Sequence, residues 1–127
     1  MVILPVEQAP FDWVATLVAN EGNLFLTYEM IEVLYRELPN FSSKLDVAYA
    51  AKDREALIYH LDLIQESSIY CPMPKLTRHV DSILEHLDKD EFWPTQASIE
   101  TCRQFISEVK YEIEVILDNR AKIRRTA

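Results

Sequence analysis

Three histidines, two cysteines and a scatter of carboxylates are the residues of this 127-residue chain that could do chemistry. An imidazole with a pKa of about 6.5 can take up a phosphoryl group, move a proton or bind a metal near neutral pH. His79 and His86 stand at i and i+7, on one helical face but about 10 Å apart along its axis. That separation is too long for one metal ion, and both are expected on a solvated flank. Cys71 and Cys102 match no Cys-x-x-Cys or Cys/His spacing, so separate reduced thiols and no zinc site are expected. There remains one histidine, His60, near a polar group formed by Tyr59, Asp62, Gln65 and Glu66.

Other chemistry is excluded by composition. Gly22 is the single glycine, where an average domain of this size would carry roughly nine. One glycine cannot supply the turns and close backbone approaches of a dinucleotide-binding loop, a phosphate-binding loop or a nucleophile elbow. The net charge is -8 and the isoelectric point about 4.8, which repels a phosphate backbone and argues against nucleic acid. Arg120, Lys122, Arg124 and Arg125 form the one basic cluster, read as a solvated tail or as cations favoured at a helix C-terminus. No apolar run is long enough to enter a membrane as a span, and no secretory leader pattern is present. A cytoplasmic location and no cofactor are expected. Met1 and the short leader lean toward a free-standing chain.

The elements that must position these residues read as helices throughout. Phe11 to Ala19 can form a short first helix, a lid with Trp13, Val14 and Leu17 available for a core. A second helix starts near Asn23 or Thr27, and from Ile31 its apolar positions Leu34, Leu38, Phe41, Leu45 and Ala48 recur at steps of three and four straight through Pro39. An uninterrupted phase predicts one long helix kinked at the proline. Asp53 is a suitable N-cap for a third helix, Arg54 to about Ser68, with Leu57, Leu61 and Ile64 on its apolar stripe. Pro72 and Pro74 stop it, and Pro74 is a favourable first residue for a fourth helix. That helix carries Leu76, Val80, Ile83, Leu84 and Leu87 and ends in the charged segment Asp88-Lys89-Asp90-Glu91. Pro94-Thr95 opens a last helix through Ile99, Cys102, Ile106, Val109, Ile113 and Ile116 to Asn119 or beyond. The predicted fold is all-α: an antiparallel up-and-down four-helix bundle with a short N-terminal helix. Its parts are a leader over 1–10, the bundle over 11–120 and a basic tail over 121–127.

Asp12-Trp13, Glu29-Met30-Ile31, Leu38-Pro39, Lys44 and above all the string from Ser67 through Tyr70-Cys71-Pro72-Met73-Pro74-Lys75-Leu76 resemble histidine-phosphotransfer (HPt) domains. The type most similar is the module that ends tripartite hybrid sensor kinases, and the resemblance covers Phe11 to Arg120. Members carry His-x-Leu-x-Gly-Ser followed by Tyr-x-Gly-x-Pro. Matching Ser67, Tyr70 and Pro74 to that pattern sets Asp62 at the phosphoacceptor position, Gln65 at the polar residue before the first glycine, Glu66 at that glycine and Pro72 at the second. The resemblance thus implies an HPt-like fold whose transfer residues have been replaced.

Helical geometry supplies a separate argument about exposure. Asp62 lies about 130° from the centre of the Leu57–Leu61–Ile64 stripe and faces solvent, while His60 lies about 70° away, on the boundary. A carboxylate with a pKa near 3.9 is already anionic and is a poor acceptor for an anionic phosphoryl group. Like charges about 4 Å apart oppose each other by roughly 1 kcal/mol in water and about 4 at an effective dielectric of roughly 20. Glutamate in place of glycine also fills the space by which a partner's backbone would approach. The expected protein is therefore not an enzyme and has no catalytic residue: a noncatalytic, pseudo-HPt signalling module binding a receiver domain, a hybrid sensor kinase or another regulatory protein through Tyr59, Asp62, Gln65 and Glu66. Two alternatives stand beside it, an active phosphotransfer protein using His60 and a structural or oligomerisation bundle.

Overall fold

The computed structural model describes residues 8–89 and 93–126, without the side chains of the last two. Most of the leader (1–7), Asp90 and Glu91 of the charged segment, and the Arg125 side chain lie outside the described residues. The described residues form five helices and no strand: α1 (Trp13–Ala19), α2 (Leu24–Ala50), α3 (Arg54–Ser67), α4 (Pro74–Asp88) and α5 (Gln96–Thr126).

Each helix start has an identifiable cause. The carboxylates of Asp12 and Asp53 accept from the amides of Ala15 and Ala56, and the Asn23 side chain accepts from Leu26. These bonds satisfy first-turn amides that have no partner inside the helix. Thr95 serves α5 in the same way through the Ser98 amide. α4 has no side-chain cap and starts on Pro74, which lacks the amide that would need one. Between α1 and α2, Glu21 and Gly22 both take positive φ (57° and 73°), and the Gly22 amide donates back to the Leu17 carbonyl at 2.8 Å. Only glycine adopts that conformation without a steric cost, so the single glycine stands at one of the positive-φ positions that end α1.

α2 runs unbroken through Pro39, which sits on its exposed side. The helix continues because its buried stripe, Ile31, Leu34, Leu38, Phe41, Leu45 and Ala48, is anchored on both sides of the proline. α2 packs against α3 and α5, and α4 against the same two, which closes a ring around one core. Neighbours run antiparallel: Glu32 and Asp46 of α2 pair with Arg120 and Arg103 of α5, and Lys75 and His79 of α4 meet Glu108 and Ser98 of α5. Leu57, Leu61 and Ile64 of α3 share one core with Leu76, Val80 and Leu87 of α4 and Val109 and Ile113 of α5, all fully buried. Each such side chain contributes about 1.5–3 kcal/mol by leaving water.

Two local expectations change. α1 packs Trp13 against the core as expected, but its buried residues are Thr16 and Asn20 with the preceding Phe11, while Val14 is 67% exposed. The helix has only seven residues and is held by polar bonds, the Asn20 amide reaching both the Thr16 and Tyr70 carbonyls. His79 is not on a solvated flank. Its Nε2 meets the Ser98 carbonyl at 2.8 Å and its ring packs edge-on against Phe105, because this side of α4 faces the first turns of α5. His86 is exposed, with Nδ1 at 2.7 Å from the Ser82 carbonyl. α5 extends beyond Asn119, as its periodicity allowed, and carries on through Thr126, so the basic residues from Arg120 onward ride on the C-terminal end of a helix, with Lys122 paired to Asp118 one turn earlier.

Candidate docking surface on the third helix

The Asp53 cap fixes where α3 begins and therefore which way each later side chain points. With Leu57, Leu61 and Ile64 turned inward, positions 59, 62 and 66 fall on the opposite side at helical spacings of three and four. Tyr59 is 59% exposed, and Asp62 and Glu66 are open to solvent. Gln65 is set apart from these three. Its amide donates across to the Asp81 carboxylate and to the Thr77 carbonyl on α4, tying the two helices together.

Two grooves flank this open face. On the α4 side, a groove of about 410 Å³ is lined by Asp62 and Ile58 together with Asp81, Leu84, Glu85 and Asp88. On the α2 side, one of about 270 Å³ has Glu66 and Ser67 on one wall and Met30, Val33 and Glu37 on the other, with Tyr70 at its end. Glu66 thus borders an apolar trough whose rim residues Val33 and Tyr70 are about half exposed, at 45% and 51%. His60 is half-buried, its ring edge-on to Tyr59 with centroids 5.1 Å apart. The sequence reading overlooked Asp81 and Glu85, although their i, i+4 spacing continued by Asp88 at i+7 already marks one acidic face of α4.

The most specific stretch of the sequence turns out to hold the fold together. Ser68 Oγ accepts from the Met73 amide at 3.1 Å, the Pro72 carbonyl accepts from Asp12, and the Tyr70 carbonyl accepts from Asn20. Cys71 and Met73 are buried between these bonds. Burial pushes the Cys71 thiol up to about 11 and the Cys102 thiol up to about 12, so both are protonated at neutral pH and are not nucleophiles. Among the described residues no group of three or more histidine, cysteine or carboxylate side chains could hold a metal ion, and no helix is long and apolar enough to cross a membrane.

No family model and no curated protein sequence matches the chain. Among solved structures, the HPt domain of a sensor hybrid histidine kinase from Shewanella superposes with a TM-score of 0.77, over 87% of this chain and 95% of that one, at 19% sequence identity. The fold is that of an HPt domain. At this identity the likeness is one of fold. Within the HPt fold of this chain the outward centre of α3 is occupied by Tyr59, Asp62 and Glu66, with His60 to one side and Gln65 engaged with α4.

Proposed function

We propose that this chain, an antiparallel up-and-down four-helix bundle with a short leading helix, is a noncatalytic HPt-type module that binds a receiver domain or a hybrid sensor kinase in a phosphorelay. The observation that carries this reading is the pairing of an HPt-like fold with an α3 face that presents Asp62 and Glu66 at its centre. By the sequence motif, Asp62 stands where such domains hold the phosphoacceptor imidazole. An ionised carboxylate there is repelled by a phosphoryl group, and Glu66 one turn along adds a second like charge. Docking places no such demand. Tyr59 supplies a large amphipathic contact, the α2-side trough supplies apolar surface, and the carboxylates around it favour a partner with a basic rim. A module of this kind acts by competing for a partner, scaffolding it or sequestering it.

Binding is the direct test. Titration of the full chain with candidate receiver domains should give a measurable affinity that falls at least about tenfold, or 1.4 kcal/mol, when Tyr59→Ala, Asp62→Arg, Gln65→Ala and Glu66→Arg are combined. Affinity for every cognate receiver unchanged by all four substitutions would put the docking face elsewhere. A second reading keeps active relay through His60, favoured by its being half-buried and not sealed in the core. It requires acid-labile phosphate on that ring.

A further inference from the structure

The outward face of α3 is negative on both flanks. Asp62 borders the α4-side groove with Asp81, Glu85 and Asp88, and Glu66 borders the α2-side trough with Glu37. No lysine or arginine lines either groove, and among the described residues none of these six carboxylates belongs to an ion pair. The Asp81 carboxylate accepts from the neutral amide of Gln65, which leaves its charge in place. Ion pairs form instead at α5. Lys75, Arg103, Arg120 and Lys122 meet Glu108, Asp46, Glu32 and Asp118, and each pair has a member on α5, the helix diagonal to α3 in the bundle.

Uncompensated charge of this kind acts on a partner's chemical state as well as on its identity. Phosphoryl transfer requires the reacting atoms to come within roughly 3–3.5 Å of each other, so a receiver docked with Asp62 at the acceptor position brings any phosphoryl group it carries against that carboxylate. A phosphoryl group holds about 1.5 to 2 negative charges at neutral pH. Glu66 stands one helical turn from Asp62, about 6 Å along the axis. Docking excludes water from the contact, and like charges then oppose each other more strongly than they do in bulk solvent. An unmodified receiver brings no such group, and Tyr59 with the apolar wall of Met30 and Val33 remains available to it.

We propose, resting on the reading that α3 docks a receiver domain, that this face discriminates between the two states of its partner: it binds the unphosphorylated receiver and is vacated when the receiver becomes phosphorylated. The discriminating groups are Asp62 and Glu66, at the centre of the face, with the carboxylates of both grooves adding to the same field. A ligand shifts an equilibrium between two forms only by its differential affinity for them, and here that difference comes from repulsion of one form. Phosphorylation of the receiver thus ends the complex with no transfer step. The module withholds unphosphorylated receivers and releases phosphorylated ones.

Calorimetric titration of the full chain with cognate receiver domains, unmodified and then held in the phosphorylated form by beryllium fluoride in the same magnesium buffer, tests the proposal. At low salt the beryllium fluoride form should bind at least about tenfold more weakly, and the gap should narrow at about 1 M salt, where the Debye length falls to about 3 Å. Asp62→Asn combined with Glu66→Gln removes both charges with little change of volume at two exposed positions, and should bring the two forms to within about twofold of each other. Equal affinity for both forms, tighter binding of the beryllium fluoride form, or a preference that survives the double substitution would each overturn the proposal and leave receiver docking itself intact. Binding of no receiver in either form would remove both together.

Discussion

The inward and outward faces of α3 share one backbone and answer to different constraints. Inward, Leu57, Leu61 and Ile64 are fully buried in the core that the four long helices share, with α3 packed directly between α2 and α4. Any change of volume there leaves a cavity or a clash. Outward, Tyr59, Asp62 and Glu66 meet water, and nothing in the fold specifies their type. Packing therefore constrains the inward residues of an HPt fold that is shared at 19% identity, and places no such constraint on the outward ones. Fold likeness and functional likeness are read from opposite sides of the same helix.

Four experiments probe that contrast. Leu61→Ala should have the largest effect, a loss of about 2–5 kcal/mol in urea denaturation, since the deleted methyl groups leave a void the packed helices cannot close; a loss below about 1 kcal/mol would mean the interior is loosely packed. The buried thiols come next. Their folded pKa values lie above the ordinary value of 9.0, so their stabilisation is complete below about pH 9 and disappears as pH rises through 11 to 12. Stability should fall over that window by on the order of 2–3 kcal/mol for Cys71 at 1.36 kcal/mol per pKa unit, and a Cys71→Ala, Cys102→Ala protein should lose correspondingly less. An equal loss in both proteins would show that the thiols do not titrate as buried groups.

Asp53→Ala removes the carboxylate that caps α3, and should cost about 0.5–2 kcal/mol. The smallest effect belongs to the outward face. Asp62→Ala should change stability by no more than about 0.5 kcal/mol while altering partner affinity. A large stability loss at Asp62 would give that face a packing role and dissolve the distinction.

Much of the architecture could be read from local rules. Apolar steps of three and four passed through Pro39 without a phase change, and α2 is indeed continuous there. Asp53 and Pro74 start helices for reasons visible in the residues themselves. What stayed hidden depends on which helix lies across the way. His79 and His86 share a face of α4 by periodicity, yet only His79 lies against the start of α5 and finds the Ser98 carbonyl. Gln65 looked like part of an open surface and instead bonds to Asp81 and Thr77. Thr16 and Asn20 are buried because their polar atoms close bonds within α1 and to the Tyr70 carbonyl, which no hydrophobic pattern reveals. The grooves beside Asp62 and Glu66 each need a second helix for their other wall.

The central claim is that this molecule binds in a phosphorelay without carrying phosphate. Incubation of the full chain with a phosphorylated receiver domain, followed by assay for acid-labile phosphate on wild type and on His60→Ala, tests it directly. The account predicts no label on either protein. Label on wild type that disappears in His60→Ala would contradict it and establish an active phosphotransfer protein.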